Sequence, residues 1–186
     1  RTVNIGPGQS VLILGSGISG LLHLLLAQSM GAGRIIMTDI NEFRLKMAKE
    51  LGADAVINAK DDVIGALRKV NEGRLADLVI VCAGSSAVFS QALQAVERAG
   101  TILCFAPTAP GETLNVPVND FWRNQIKIIH SYGSSPADNA MALELLKAKR
   151  VSVDRLITHR LKLGQIGEGF RIMAESKDSI KVIIEA

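Results

Sequence analysis

Residues 10–41 read SVLILGSGISGLLHLLLAQSMGAGRIIMTDIN: a short apolar run, three glycines, a long apolar segment, and a lone acid closing a second apolar run. Val11–Leu14 predicts a strand and Ile18–Met30 a helix, so Gly15-Ser16-Gly17-Ile18-Ser19-Gly20 is the turn between them. Gly15 permits a tight turn, Gly17 lets the main chain approach a pyrophosphate, and Gly20 lets helix and strand pack closely. The free amides of Gly17, Ile18 and Ser19 then point at the phosphates, aided by the positive end of the helix dipole.

A glycine-rich turn alone is a weak signal. Here a strand precedes it, a helix follows it, and an acid stands about 20 residues on. Asp39 ends the second strand, where a carboxylate can accept both hydroxyls of an adenosine ribose. Its charge repels a 2′-phosphate, which favours NAD over NADP. Arg44 falls in the first turn of the next predicted helix and reads as a second ribose contact, although an arginine there can also accept a 2′-phosphate. The competing reading is a purely structural turn with Asp39 as a helix cap.

The rest of the chain keeps the same rhythm. Further strands are expected at Ala55–Asn58, Leu78–Cys82, Thr101–Phe105 and Ile126–Ser131, with helices at Glu42–Leu51, Val63–Val70, Ala87–Arg98 and Asp120–Arg123. Most strands are apolar throughout, as expected when helices cover both faces of a parallel sheet. The fold class is therefore α/β, a doubly wound parallel sheet in a three-layer αβα arrangement, the Rossmann fold. Asn41 can cap the helix after Asp39, and Gly52 stands where that helix stops. After Gly133 the pattern changes: a helix opens at Ser134-Ser135-Pro136 and runs to about Arg150. A loop-like Ile157-Thr158-His159 segment, a helix at Gly164–Ser176 and a last strand at Lys181–Glu185 follow.

Composition narrows the function classes. The chain has 186 residues, 48% of them hydrophobic and 4% aromatic, which suits an aliphatic core. The net charge of +3 is spread among acids with no basic stripe, which argues against a nucleic-acid partner. No stretch approaches the roughly 20 apolar residues of a membrane span. There is no basic segment leading into an apolar one, so the expected location is cytoplasmic. Cys82 and Cys104 lie in apolar runs and read as buried thiols outside any metal spacing.

The stretch VLILGSGISGLLHLLLAQSMGAGRIIMTDINEFRLKMAKELGADAVIN resembles the cofactor domain of the zinc-dependent medium-chain dehydrogenases. The resemblance continues through ADLVIVCAGS, GTILCFAPTAPGE, ITHRLKLGQIGEGF and SIKVIIEA, covering essentially the whole chain. Within the family, APTAPGETLNVPVNDFWRNQIKIIHSYGSSPAD is most similar to the sorbitol, L-iditol and threonine dehydrogenase group. The resemblance implies that Gly15, Ser16, Gly17, Ile18 and Ser19 surround the pyrophosphate, while Asp39 and Arg44 hold the ribose. It also implies that Cys82, Ala83 and Gly84 lie along the cofactor's middle, and that Phe105, Ala106, Ser131 and Tyr132 line the nicotinamide end. Lys181 matches a basic residue that approaches the pyrophosphate; a solvated lysine is the other reading. His130 stands where the family often has glycine, either as a surface substitution or as a change at a dimer edge.

The family's chemistry uses zinc to lower the pKa of a bound alcohol. His23, His130, His159, Cys82 and Cys104 form no ligand pattern, and none of them is assigned to a metal. The family's ligands precede the cofactor domain, and residues 1–8 resemble the linker that leaves that earlier domain. The expectation is a C-terminal half: residues 1–135 binding NAD, and residues 136–186 packing on the sheet and returning toward a zinc-binding catalytic domain. Such a chain binds cofactor, serves a small alcohol or polyol substrate, and is not active alone. Ile126–Ser131 reads as an edge strand beside Val116-Pro117-Val118, through which a homodimer or homotetramer is expected. Two other readings remain open: a zinc-free NADPH-dependent quinone or alkene reductase, and a non-enzymatic NAD sensor.

Overall fold

The computed structural model describes residues 3–186; Arg1 and Thr2, the start of the expected linker, lie outside the described residues. Six strands form one parallel sheet: β1 (Ser10–Leu14), β2 (Arg34–Asp39), β3 (Ala55–Asn58), β4 (Ala76–Val81), β5 (Val96–Cys104) and β6 (Lys127–His130). Their order is β3-β2-β1-β4-β5-β6, so the winding reverses between β1 and β4. That reversal leaves a crevice at the carboxyl ends of the strands, where ligands bind in open α/β sheets.

Helices cover both faces. One core joins Leu12, Leu14, Ile36, Val79, Val81 and Ile102 to α3 (Val63–Val70), α4 (Ser86–Ala95) and α5 (Val118–Arg123). The other joins Val11, Ile13, Ile35, Met37, Ile80 and Leu103 to α1 (Ile18–Ser29) and α2 (Glu42–Glu50). The alternation of strand side chains between the two cores is the period-2 pleat with both faces buried. The fold class expected from sequence is the one observed.

Several element ends shift by one to three residues, and two larger differences from expectation stand out. The helix expected to reach Arg98 stops at Ala95, and β5 begins at once. Val96 pairs with Ala76, but the register shifts before Leu78 pairs with Thr101. The Glu97 carboxylate holds this irregular stretch by accepting the Leu75 and Arg98 N–H groups at 2.9 and 3.0 Å. The second difference is His159, which is not in a loop but in strand β7 (Ile157–Lys162). Its Nδ1 lies 3.0 Å from Thr158 Oγ1, a local hydrogen bond within the strand.

Beyond β6 come α6 (Pro136–Lys147), whose Ser135 and Asp138 form a capping box, then β7, α7 (Ile166–Glu175) and β8 (Lys181–Glu185). Strands β7 and β8 form a separate two-stranded parallel sheet. Leu156 and Ile180, at its base, are buried in the same core as Leu24 and Leu103.

Gly20 fixes how closely α1 meets β1. A Cβ there would collide with the Gly15 carbonyl oxygen and reach Ile13 Cγ2 at 3.4 Å. Replacing Gly20 with Ala is expected to destabilise the fold by about 1–3 kcal/mol through overpacking. Urea unfolding measures this, and an unchanged midpoint would contradict the contact.

Candidate functional site: the carboxyl end of the sheet

The turn from β1 into α1 is built by main-chain constraints. Gly15 adopts φ +103°, a left-handed conformation, and its N–H donates to Thr38 O at 2.9 Å. Ser16 is fully buried: its N–H donates to Asp39 Oδ2 at 2.8 Å and its hydroxyl to Thr38 O at 3.1 Å. The Ser16 side chain is thus spent on tying the turn to β2. Gly17 is the N-cap of α1, and no side chain caps this helix. The first-turn N–H groups of a helix have no intrahelical acceptor.

Gly17 is informative because the fold does not require it. Its φ of −71° suits any residue, and a Cβ there would meet only Arg44 Nη1, at 3.9 Å. The glycine keeps open a space that no part of the chain fills.

Asp39 stands at the carboxyl end of β2 and is 7% exposed. Its Oδ2 accepts the Ser16 N–H and its Oδ1 accepts the Asn41 N–H at 2.9 Å. Arg44, in the first turn of α2 as expected, places Nη1 4.0 Å from Asp39 Oδ2. Its Nε is buried without a partner, an orphaned donor beside the carboxylate. Asn41 caps α2, and Gly52 follows its end with φ +96°, both as expected.

Gly15, Asp39, Arg44 and Ala83 line one cavity of about 410 Å³, with Ile40, Ala59, Val88 and Gln91 completing its walls. Sequence reasoning missed these four, and with them Thr38, Ser85 and Ala87 of the same lining. Ile40 carried a usable signal, an apolar residue immediately after the acid, and it is 63% exposed.

The remaining expected site residues follow the sheet's crest. Cys82 N–H donates to Leu14 O at 2.8 Å, and the Phe105 and Ala106 N–H groups both donate to Val81 O. Gly84 lies under the Pro107 carbonyl, where a Cβ would collide. Phe105, Ala106, Ser131 and Tyr132 share a second cavity of about 610 Å³ with Glu112 and His130. Lys181 lies exposed on β8 and lines neither cavity.

His23, Cys82 and Phe105 meet beside this crest. His23 Nδ1 is 2.8 Å from Ser19 O, which can only accept, so Nδ1 carries the proton. Cys82 Sγ lies 3.6 Å from the same nitrogen, and the Phe105 ring meets the imidazole edge to face at 4.6 Å. Burial lowers the His23 pKa and pushes the Cys82 thiol up to about 12, so both groups are neutral near pH 7. Among the described residues no three His, Cys, Asp or Glu side chains gather as a metal set. Among the described residues no helix is long and apolar enough to cross a membrane.

The six-stranded parallel sheet with helices on both faces is a Rossmann-type α/β domain. Residues 19–148 match the family described as zinc-binding dehydrogenase, and the chain belongs to that zinc-dependent medium-chain family, matching its cofactor-binding half. It is 33% identical to L-idonate 5-dehydrogenase of Vitis vinifera, covering 98% of this chain and 51% of the relative. It is 30% identical to sorbitol dehydrogenase of Arabidopsis thaliana, again covering 98% of this chain and 51% of the relative. Among solved structures, alcohol dehydrogenase TADH from Thermus sp. ATN1 superposes with a TM-score of 0.89 at 27% identity, covering 98% of this chain and 52% of that one. The chain spans about half the length of the relatives it matches.

Two measurements check the crest. Iodoacetamide should modify Cys82 in the folded chain at least about a hundredfold more slowly than in urea at the same pH, because the reactive thiolate is suppressed. Equal rates by mass spectrometry would contradict the buried thiol. For His23 the folded pKa lies below its ordinary 6.5, so the unfolded chain takes up a proton first as pH falls. Stability should decline on acidification below 6.5, and His23→Gln should flatten that limb of the pH–stability curve.

Proposed function

We propose that this chain supplies the NAD(H) site of a cytoplasmic zinc-dependent alcohol or polyol dehydrogenase, which oxidises a secondary alcohol to a ketone by hydride transfer. The carrying observation is the pairing of an uncapped helix N-terminus over an unfilled space at Gly17 with the buried Asp39 carboxylate. The first suits a diphosphate, since helix-terminal amides and the dipole favour negative charge. The second suits a ribose. A carboxylate offers about four lone-pair sites, and the Ser16 and Asn41 N–H groups use two of them. Two remain for sugar hydroxyls.

In this reading the Gly17, Ile18 and Ser19 amides hold the pyrophosphate, and Arg44 brings its unpartnered Nε to the ribose side. Ile40 and Val88 offer apolar walls for the adenine. Gly15, Ser16 and Gly20 shape the turn, while Cys82, Ala83 and Gly84 lie along the middle of the cofactor. Phe105, Ala106, Ser131 and Tyr132 bound the nicotinamide end, and Lys181 approaches from β8. A bound nicotinamide would supply the hydride acceptor, and zinc held outside the described residues would acidify the alcohol. The described residues offer zinc no ligand set, so this chain's own part is to bind and orient the cofactor.

Residues 1–135 are the NAD-binding unit in this proposal, and residues 136–186 turn toward a catalytic domain. The names of the relatives support an alcohol or polyol as substrate. Beside edge strand β6, Val116, Val118, Trp122 and Ile128 form an apolar concavity. An unpaired strand edge flanked by apolar surface supports a homodimer or homotetramer through this face.

NADH fluorescence should rise on binding. Gly17→Val should abolish that rise at a stability cost of about 0.5–2 kcal/mol, the difference between a good and a poor N-cap, because the new side chain enters space the ligand needs and not the core. A variant that binds as tightly as the parent would remove the pyrophosphate assignment. Asp39→Ser, with Arg44 retained, should shift the NADH-to-NADPH affinity ratio toward NADPH by about ten- to a hundredfold by relieving charge repulsion. An unchanged ratio would contradict the role given to Asp39.

A further inference from the structure

Helix α2 carries Arg44 and starts beside Asp39, yet both of its ends are held by residues more than a hundred positions later. At its start, Asn41 Nδ2 donates to Ser176 O at 2.8 Å and to Lys177 O at 3.0 Å. At its end, Arg155 Nη1 donates to Glu50 O at 3.1 Å and Nη2 pairs with Glu50 Oε2 at 2.6 Å. Ser176, in a left-handed conformation at φ +51°, ends α7, and its hydroxyl donates to Met173 O. Four residues on, Ile180 is buried in the core that α1 and α2 share.

Capping does not explain asparagine at position 41. Asn41 Oδ1 accepts the Arg44 N–H at 3.3 Å, and serine or aspartate would cap as well. Only an amide supplies that acceptor together with two donors. The donors go to the 176–177 turn, while the Asn41 main-chain N–H goes to Asp39 Oδ1. One residue thus grips the carboxylate with its backbone and the C-terminal turn with its side chain.

We propose that Asn41 is a positioning residue that couples the seating of the 176–180 turn to the adenosine end of the nucleotide site. The coupling rests on the NAD(H) reading above. A nucleotide that orders Asp39 and the start of α2 orders the Asn41 amide, and so strengthens its hold on Ser176 and Lys177. Linkage makes this reciprocal: the seated turn improves nucleotide affinity by the same factor.

The test uses the whole chain with NADH as probe, reading fluorescence for affinity and amide hydrogen exchange for the turn. Asn41→Ser keeps the cap and the main-chain bond to Asp39 but is too short to reach the two carbonyls. Saturating NADH should slow exchange at 176–180 in the parent. In Asn41→Ser that protection should vanish and the NADH dissociation constant should rise about three- to tenfold. A merely structural asparagine would lower stability and leave both readouts unchanged, which overturns the coupling. If Asn41→Ser does not fold, the parent decides: NADH binding without added protection at 176–180 overturns the coupling, and added protection supports it. A parent that binds no NADH removes the NAD(H) reading itself, and the coupling with it.

Discussion

The Asp39 carboxylate joins the two turns from which the site is made. Oδ2 holds the Ser16 N–H in the first strand-to-helix turn, and Oδ1 holds the Asn41 N–H in the second. Both are charge-assisted bonds to main-chain donors in a largely buried setting, where such bonds are strong and loss of a partner is costly. A side chain with this geometry is scaffold first, and in the proposed reading it is a ligand group as well. The sequence reading had set the two roles against each other; in the structure the carboxylate's structural bonds orient the lone pairs that stay free.

From that junction the rest of the crevice follows. With Ser16 drawn to β2, Gly17 becomes the N-cap of α1 and its neighbouring amides face outward. Gly20 lets α1 settle against the Gly15 carbonyl. The parallel strand order then puts Gly15 between Asp39 and Ala83, and Phe105 beside Ser131, so the two cavities both open at the carboxyl ends of the strands.

Much of this was legible in the chain because local chemistry and tertiary context agree. β3, α3 and β8 fall on their expected residues, and β2 ends at Asp39 as expected, since each is a short apolar or amphipathic run with punctuation at both ends. The glycine turn was legible because Gly15 and Gly20 meet steric requirements of the fold, and Asp39 because it closes an apolar strand. What was hidden depends on distant partners. The early end of α4 comes from Glu97, whose carboxylate is used by Leu75 some twenty residues earlier in the chain. The strand at His159 exists only because Val182 pairs with it. Asn41 reads locally as a cap, and nothing near it in sequence announces Ser176. Ser16 reads as a phosphate contact, whereas its burial against Thr38 requires knowing that β1 and β2 are neighbours.

Density for NADH in a crystal of the 186-residue chain tests this account most directly. The diphosphate should lie over the Gly17–Ser19 amides with the adenosine ribose hydroxyls on the Asp39 carboxylate and the nicotinamide toward Phe105 and Ser131. A nucleotide bound elsewhere, or a crevice with no nucleotide at saturating NADH, would contradict it.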